Sequence, residues 1–148
     1  MSCTNDPMTQ NVSYSGTTIF ELQCTPYGNA TLTFFQQTLN GDSITFLCND
    51  TTPRSGSTAI RRILSQSYEI TPHGKTFLNG RKANLCIPYD AASVVDPEKL
   101  ISAIVDPNGW VPDPNQPEKV YDASGTRLLY FKIPNVHANG KYAVAELV

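Results

Sequence analysis

The residue types that could carry catalysis are present in this sequence, but their spacing forms no catalytic set. There is no glycine-rich phosphate loop, no Gly-x-Ser-x-Gly elbow and no helical His-Glu pair. The two histidines, His73 and His137, lie far apart, and no Cys-x-x-Cys spacing accompanies them, which argues against structural zinc. The carboxylates fall in predicted loops, so paired acid–base catalysis has no support. The sequence therefore predicts a non-enzymatic protein without a metal or cofactor.

The order of the charged residues along the chain is the main indication of a binding function. Residues 54–82 contain six cationic residues and one acidic residue, a net charge of +5. Residues 90–122 contain seven acidic residues and two lysines, a net charge of −5. The two segments could neutralise each other across the fold, or they could form a dipolar surface that docks with a protein partner or with a second copy. The candidate binding residues are Arg61, Arg62, Arg81, Lys82, Asp106, Trp110 and Asp113.

These candidates are expected on two separate faces. The four basic residues would form one side, and the acidic loop 106–118 would form the other. Loop oxygens of Asp106, Asn108 and Asp113 could also be combined into a calcium site, but solvated loop acids are the commoner explanation. Trp110 is expected in the core or at its rim, with stacking on a sugar as the minority alternative.

Length and composition limit the class of protein. A chain of 148 residues is one domain of ordinary size, and 11 prolines and nine glycines suit short strands joined by turns. The net charge is −2 and no basic cluster accompanies aromatic residues, which argues against nucleic-acid binding. No apolar run reaches membrane-spanning length, so no membrane insertion is expected.

Alternation of apolar and polar residues, interrupted by turn residues, predicts an all-β fold. A flexible N-terminal tail is expected over residues 1–14 and a single β-sandwich domain of immunoglobulin-like type over 15–148. The spacing predicts strands at 17–24, 30–36, 43–49, 60–70 with a bend near Ser65, 83–89, 100–105, 127–134 and 141–147. Pro88 must end its strand or lie at an edge, because proline cannot donate to a ladder.

The cysteines leave two alternatives open. Cys24 and Cys48 are both expected to point inward, either as one disulfide or as two buried thiols. Cys86 alternates with Leu85 and Ile87 and is expected to face solvent.

The segment 67–90, SYEITPHGKTFLNGRKANLCIPYD, resembles the second half of the ZU-five domain. That domain is shared by zonula occludens scaffolds, netrin receptors, ankyrins and bacterial surface proteins. Further landmarks follow in family order, namely ATLTFFQQTLNGDSITFLCND at 30–50, NGWVPDP at 108–114 and HANGKYAVAEL at 137–147. The turn at 35–39 keeps Leu39 but lacks the proline and glycine usual in the family.

The resemblance also raises the question of self-cleavage. Some family members cut their own chain at a His-Phe-Ser triplet, where the serine hydroxyl is the nucleophile. Here the triplet is His137-Ala138-Asn139, so an asparagine occupies the nucleophile position and cleavage is disfavoured. Asn139 and Gly140 are expected simply to form the turn before the last strand, and Tyr142 resembles the tyrosine corner of sandwich folds.

Three functions remain as hypotheses. The resemblance implies a protein-interaction module, as in ankyrins and scaffolds. The alternative is a structural or adhesion protein of an extracellular or virion surface, with sugar binding as a possible duty. Three Asn-x-Ser/Thr triplets, at Asn11, Asn29 and Asn49, lean weakly towards such a surface, and a cytoplasmic scaffold is the other localisation. A self-cleaving domain is ranked last.

Overall fold

The fold is built from short antiparallel strands. The computed structural model describes residues 7–22, 27–49, 57–114, 118–121, 128–133, 136–137 and 140–148. Within these residues the strands are β1 (Met8–Asn11), β2 (Thr18–Leu22), β3 (Ala30–Phe34), β4 (Ser43–Asn49), β5 (Ile60–Ile63), β6 (Ser67–Thr71), β7 (Ala83–Pro88), β8 (Leu100–Asp106), β9 (Gly109–Pro112), β10 (Glu118–Tyr121), β11 (Leu128–Ile133) and β12 (Lys141–Leu147). Short 3-10 helices span Leu78–Gly80, Ala91–Ser93 and Pro97–Lys99. The prediction of an all-β fold is confirmed.

The strands form two sheets, here called sheet A and sheet B. Sheet A has the order β1-β4-β6-β12-β8-β9, and β5 pairs with the far end of β12. Sheet B has the order β10-β11-β7-β3-β2. Every pairing among the described strands is antiparallel. The arrangement is sandwich-like, with residues of both sheets in one core.

Alternation along the strands explains most of these boundaries. β4 and β12 match the bounds predicted from sequence, and β7 ends at Pro88 as expected. The strand predicted over 60–70 is instead divided into β5 and β6. Leu64 lies between them because its backbone N–H bonds to Val144 O at 2.8 Å and its carbonyl accepts from Asp90 N at 2.7 Å. The expected bend near Ser65 is thus a break between two strands.

The main core lies between the sheets. Sheet B contributes the row Phe20, Leu32 and Leu85, which are paired in register. Sheet A contributes Phe46 and Tyr68, whose rings stack with centroids 5.9 Å apart. Fully burying one such side chain stabilises the fold by about 1.5–3 kcal/mol. The sheets are therefore held together mainly by apolar burial.

A second apolar cluster lies on the opposite face of sheet A. Trp110 of β9 packs there with Ala103 of β8 and with Ala143 and Ala145 of β12, joined by Ile60 and Ile101. Small alanines in adjacent strands leave room for the indole ring on this face. Consequently β8 and β12 have buried residues on both faces rather than on one.

The structure contradicts one expectation about the cysteines and confirms another. Cys86 was expected to face solvent but is only 3% exposed. This expectation is wrong because β7 is in the middle of sheet B, where Cys86 is flanked in register by Thr31 and Tyr130. Cys48 is buried as predicted, and its Sγ donates to Gln66 Oε1 at 2.7 Å. Cys48 is therefore a thiol in the structure, in line with the buried-thiol alternative, and Cys24 lies outside the described residues.

Part of the segment expected to be a tail is ordered. Residues 8–11 form β1, which pairs with β4 in the register Met8–Phe46 to Asn11–Ser43. Val12 follows and is fully buried in the main core. The ordered structure therefore begins before residue 15.

Candidate binding site

An open cleft lies at the end of sheet B where β7 begins. Phe34, the last residue of β3, pairs with Ala83, the first residue of β7. Phe35 and Lys82 therefore lie beside each other at the same end of the sheet. The cleft has a volume of about 380 Å³ and is lined by Phe35, Gly80, Arg81, Lys82 and Asn84.

The chemistry of this cleft favours an acidic and partly apolar ligand. Arg81 and Lys82 are exposed cations, and none of the described residues that line the cleft is acidic. The Phe35 side chain is 40% exposed and provides an apolar surface next to them. Asn84 adds an amide that can both donate and accept hydrogen bonds. These groups can bind a chain that carries a carboxylate and an apolar side chain.

One arginine of the cleft is held in place by a neighbouring loop. Arg81 Nη2 donates to Gln37 Oε1 at 3.1 Å, and Arg81 N donates to Leu78 O at 3.0 Å. Sequence analysis identified Arg81 and Lys82 but missed Phe35, Gln37 and Asn84. A signal for Phe35 was present, because adjacent phenylalanines at the end of a strand cannot both point inward.

Arg61 and Arg62 do not share this site. Both are exposed, but Arg62 Nη1 donates to Ser93 O at 3.2 Å, and Ser93 follows the end of β7, whereas Arg81 precedes its start. A strand of six residues spans about 20 Å. The structure thus separates the four basic residues, which corrects the single basic side predicted from sequence.

Arg62 instead lies beside a buried carboxylate. Glu146 is fully buried on the core face of β12, and its Oε1 is 3.7 Å from Arg62 Nε. Its Oε2 accepts hydrogen bonds from the backbone N–H groups of Val95 and Asp96 at 2.7 and 2.6 Å. Sequence analysis missed Glu146 as a buried group because it sits among apolar residues near the chain end. Its contacts attach the loop after β7 to the last strand.

The acidic candidates do not form an exposed face. The Asp113 side chain is only 1% exposed, and its Oδ2 lies 3.0 Å from His137 Nε2. Asp106 is half-buried and accepts a hydrogen bond from Asn108 N at 2.8 Å, which stabilises the β8–β9 turn. The two carboxylates are used in separate contacts. Among the described residues, no group of three or more His, Cys, Asp or Glu side chains is arranged to hold a metal ion.

Trp110 is placed in the second apolar cluster. It is 4% exposed and packs against the alanines of β8 and β12. A buried indole cannot stack on a sugar or contact a partner. Trp110 is therefore a core residue, which is one of the two positions expected for it, and it is not a candidate binding residue.

The turn before β12 carries the tyrosine corner that the sequence suggested. Tyr142 is fully buried, and its hydroxyl oxygen accepts a hydrogen bond from His137 N at 2.9 Å. Burial raises the pKa of Tyr142 well above its ordinary value, the His137 N–H lowers it, and the charge of Asp113 raises it. Ala138 and Asn139 lie outside the described residues, so the self-cleavage expectation is not tested there.

No protein-family model, curated protein or solved structure matches this chain. The resemblance to the ZU-five domain therefore stays a prediction. Within the described part of the chain, none of the helices has the length and apolar character required to cross a membrane.

Proposed function

We propose that this protein is a non-enzymatic protein-interaction module of ZU-five-like type, with an immunoglobulin-like sandwich fold, which binds an acidic segment of another protein. The observation that carries the proposal is the open cleft in which Arg81, Lys82 and Phe35 lie together, with no acidic residue among the described residues that line it. Arginine and aromatic residues are enriched at protein interfaces, since both give large contact areas and arginine binds carboxylates in pairs.

The surroundings of the cleft support the same function. Tyr14 and Leu78 are 43% and 41% exposed, and both are connected to the loop that carries Phe35. Gln37 N donates to Tyr14 O at 2.6 Å, and Leu78 N donates to Thr38 O at 2.8 Å. Exposed aromatic and aliphatic side chains at one end, next to two cations, have the composition of an interface centre.

An outside partner is favoured over a second copy. Self-docking was expected to join the basic side to an acidic loop that contains Asp106 and Asp113. Asp113 is buried against His137, and Asp106 is engaged in its own turn, so the described part of this loop presents less acidic surface than its sequence suggests. This favours a partner that supplies the carboxylates.

The test is selection of binding peptides from a random display library on the immobilised protein. We expect enrichment of peptides in which Asp or Glu adjoins an apolar residue, and loss of these peptides with the Arg81→Glu, Lys82→Glu variant. Arg61→Glu is the matched control because it is also an exposed arginine but lies outside the cleft. No enrichment, or equal capture by the cleft variant, would contradict the proposal.

Sedimentation of the same proteins at low and high salt separates the two kinds of partner. We expect salt-independent monomers for the native chain and for the cleft variant. A native oligomer that dissociates in high salt and is lost in the variant would instead assign the cleft to self-association.

A structural or adhesion role at an extracellular or particle surface is the second candidate. It is favoured by Asn11 and Asn29, which begin Asn-x-Ser/Thr triplets and are both exposed. Glycans on these two asparagines in protein isolated from its natural source would support this setting. Unmodified asparagines would favour the cytoplasmic scaffold.

A further inference from the structure

Two residues beside the cleft have an unusual backbone conformation. In the described part of the chain, the non-glycine residues with positive φ are Gln37, at 65°, and Asn79, at 57°. They lie on different loops but contact each other, because Asn79 Nδ2 donates to Gln37 O at 3.3 Å. The two described non-glycine residues with left-handed conformation thus lie in contact beside the cleft.

This conformation has a cost that differs between the two residues. Asparagine tolerates the left-handed region because its short amide bonds locally, whereas glutamine gains little from it and its Cβ is crowded. Gln37 is held there by the hydrogen bond from its N–H to Tyr14 O at 2.6 Å and by the bond from Asn79. Strained residues persist where surrounding contacts determine them, and they are concentrated at binding sites.

The backbone conformation of Gln37 directs its side chain towards Arg81. Gln37 Oε1 accepts a hydrogen bond from Arg81 Nη2 at 3.1 Å. That bond uses one of the five N–H groups of the guanidinium and restrains the orientation of the group. An exposed arginine otherwise loses rotamer freedom when it binds a ligand, and a guanidinium already fixed loses less.

We propose that Gln37 is a positioning residue that orients Arg81 for a carboxylate of an acidic peptide segment. This inference rests on the proposed function. Arg81 binds an Asp or Glu side chain of the segment, and Lys82 binds a second acidic side chain. Phe35 packs against an apolar residue next to them. Two cations of different shape beside an exposed ring fit such a segment better than a small hydrated anion, which would leave Phe35 without a contact.

The experiment compares Gln37→Gly and Gln37→Met with the native chain. Glycine adopts a positive φ without strain, so Gln37→Gly is expected to unfold at a higher temperature while it binds less tightly. Methionine keeps the length of the side chain but removes the acceptor oxygen. For the fluorescein-labelled peptide Glu-Phe-Asp-Glu-Leu-Asp, we expect both variants to have a Kd raised roughly three- to tenfold by anisotropy.

Gln36→Met is the matched control, because it makes the same substitution at the neighbouring exposed residue. Gln36 is not among the described residues that line the cleft, and this variant retains the contact between Gln37 and Arg81. Its Kd for the same peptide is expected within about twofold of the native value. A readout without ligand is the NMR order parameter of the Arg81 Nε–H group, which should fall in both Gln37 variants and remain high in Gln36→Met.

The outcomes separate this inference from the proposed function. Native binding that is unchanged by Gln37→Gly and Gln37→Met would refute the positioning role and leave the binding function standing. Absence of peptide binding by the native chain would overturn both. An Arg81 order parameter that is equally low in all proteins would refute the fixed guanidinium.

Discussion

At the scale of single residues, the turn before β12 is tightly packed against the neighbouring backbone. Gly140 has a φ of 64°, and its carbonyl accepts a hydrogen bond from Ile70 N at 2.7 Å. A Cβ added at this glycine would lie 2.6 Å from Ile70 O and 2.9 Å from His73 Cβ. The position requires glycine for both its conformation and its space.

Gly140→Ala is therefore expected to lower the free energy of unfolding by about 2–4 kcal/mol, measured by urea denaturation. Gly80→Ala is the matched control, because Gly80 has the same φ of 64° and no atom within 4 Å of an added Cβ. Gly80→Ala should lower the free energy of unfolding by about 1–2 kcal/mol, which is the cost of placing a residue with a Cβ at a positive φ. Equal losses in the two variants would show that the close approach to Ile70 has no energetic effect.

Tyr142 makes stability depend on alkaline pH. Because burial raises the pKa of Tyr142 in the folded protein, the native state retains its proton at pH values where the unfolded chain, with a pKa near about 10, has lost it. The contribution of the protonated Tyr142 hydroxyl to the free energy of unfolding is present in full below a pH of about 10, and it decreases as the pH rises above that value.

We expect the native chain to lose about 1.4 kcal/mol of stability per pH unit above pH 10 relative to Tyr142→Phe. The measurement is urea unfolding of both proteins between pH 8 and about 11.5. The phenylalanine variant is less stable at neutral pH by about 1–2 kcal/mol, since His137 N loses its acceptor. Parallel curves for the two proteins would contradict the role of this hydroxyl.

At the scale of secondary structure, Glu146 connects three elements. It lies on β12, opposite Arg62 of β5, and it receives the N–H groups of Val95 and Asp96 in the loop between β7 and β8. Hydrogen bonds from backbone N–H groups to a buried carboxylate are among the stronger ones, because the acceptor is charged. The loop conformation depends on this side chain.

Glu146→Ala is expected to destabilise the protein by about 2–4 kcal/mol, because the backbone N–H groups of Val95 and Asp96 lose their charged acceptor. Amide hydrogen exchange at Val95 and Asp96 should accelerate more than at β4. Arg62→Ala is expected to cost less, about 1 kcal/mol, because the Arg62 side chain is 42% exposed and its Nε lies 3.7 Å from Glu146 Oε1, beyond hydrogen-bond distance. A Glu146 variant that resembles Arg62→Ala would contradict the connecting role.

The edge of sheet B is protected by another strand. β2 is the last strand of that sheet, and β1 of sheet A lies beside it. Gln10 Nε2 donates to Ile19 O at 2.9 Å, and Glu21 N donates to Met8 Sδ at 3.2 Å. Side chains of β1 thus occupy backbone groups that would otherwise be open to pairing with another chain.

At the scale of the whole molecule, the two apolar clusters share strands. Residues of β8 and β12 alternate between the main core, with Leu100 and Val144, and the second cluster, with Ile101 and Ala145. Neither cluster can open without disturbing a strand of the other. The described sheets should therefore unfold together.

We expect Trp110 fluorescence and far-ultraviolet circular dichroism to give coincident urea transitions. Trp110 is the sole tryptophan of the sequence and reports on the second cluster, whereas circular dichroism reports on both sheets. A fluorescence transition at clearly lower urea would show that the second cluster opens separately.

The sequence by itself determined the local elements. Alternation predicted β4 and β12 with their bounds, turn residues predicted the ends of most strands, and Tyr142 was recognised with its turn. These features depend on neighbours within a few residues, because the period of a strand and the conformation of Asn-Gly turns are local properties.

Only the tertiary structure decided which residues meet. Charge order placed four basic residues on one side, but the length of β7 separates Arg62 from Arg81. Asp113 was assigned to a surface and Glu146 was overlooked, and both are buried against segments that are distant in sequence. Burial and charge pairing depend on contacts between remote segments, so periodicity along the chain, which records only which face a residue takes, does not specify them.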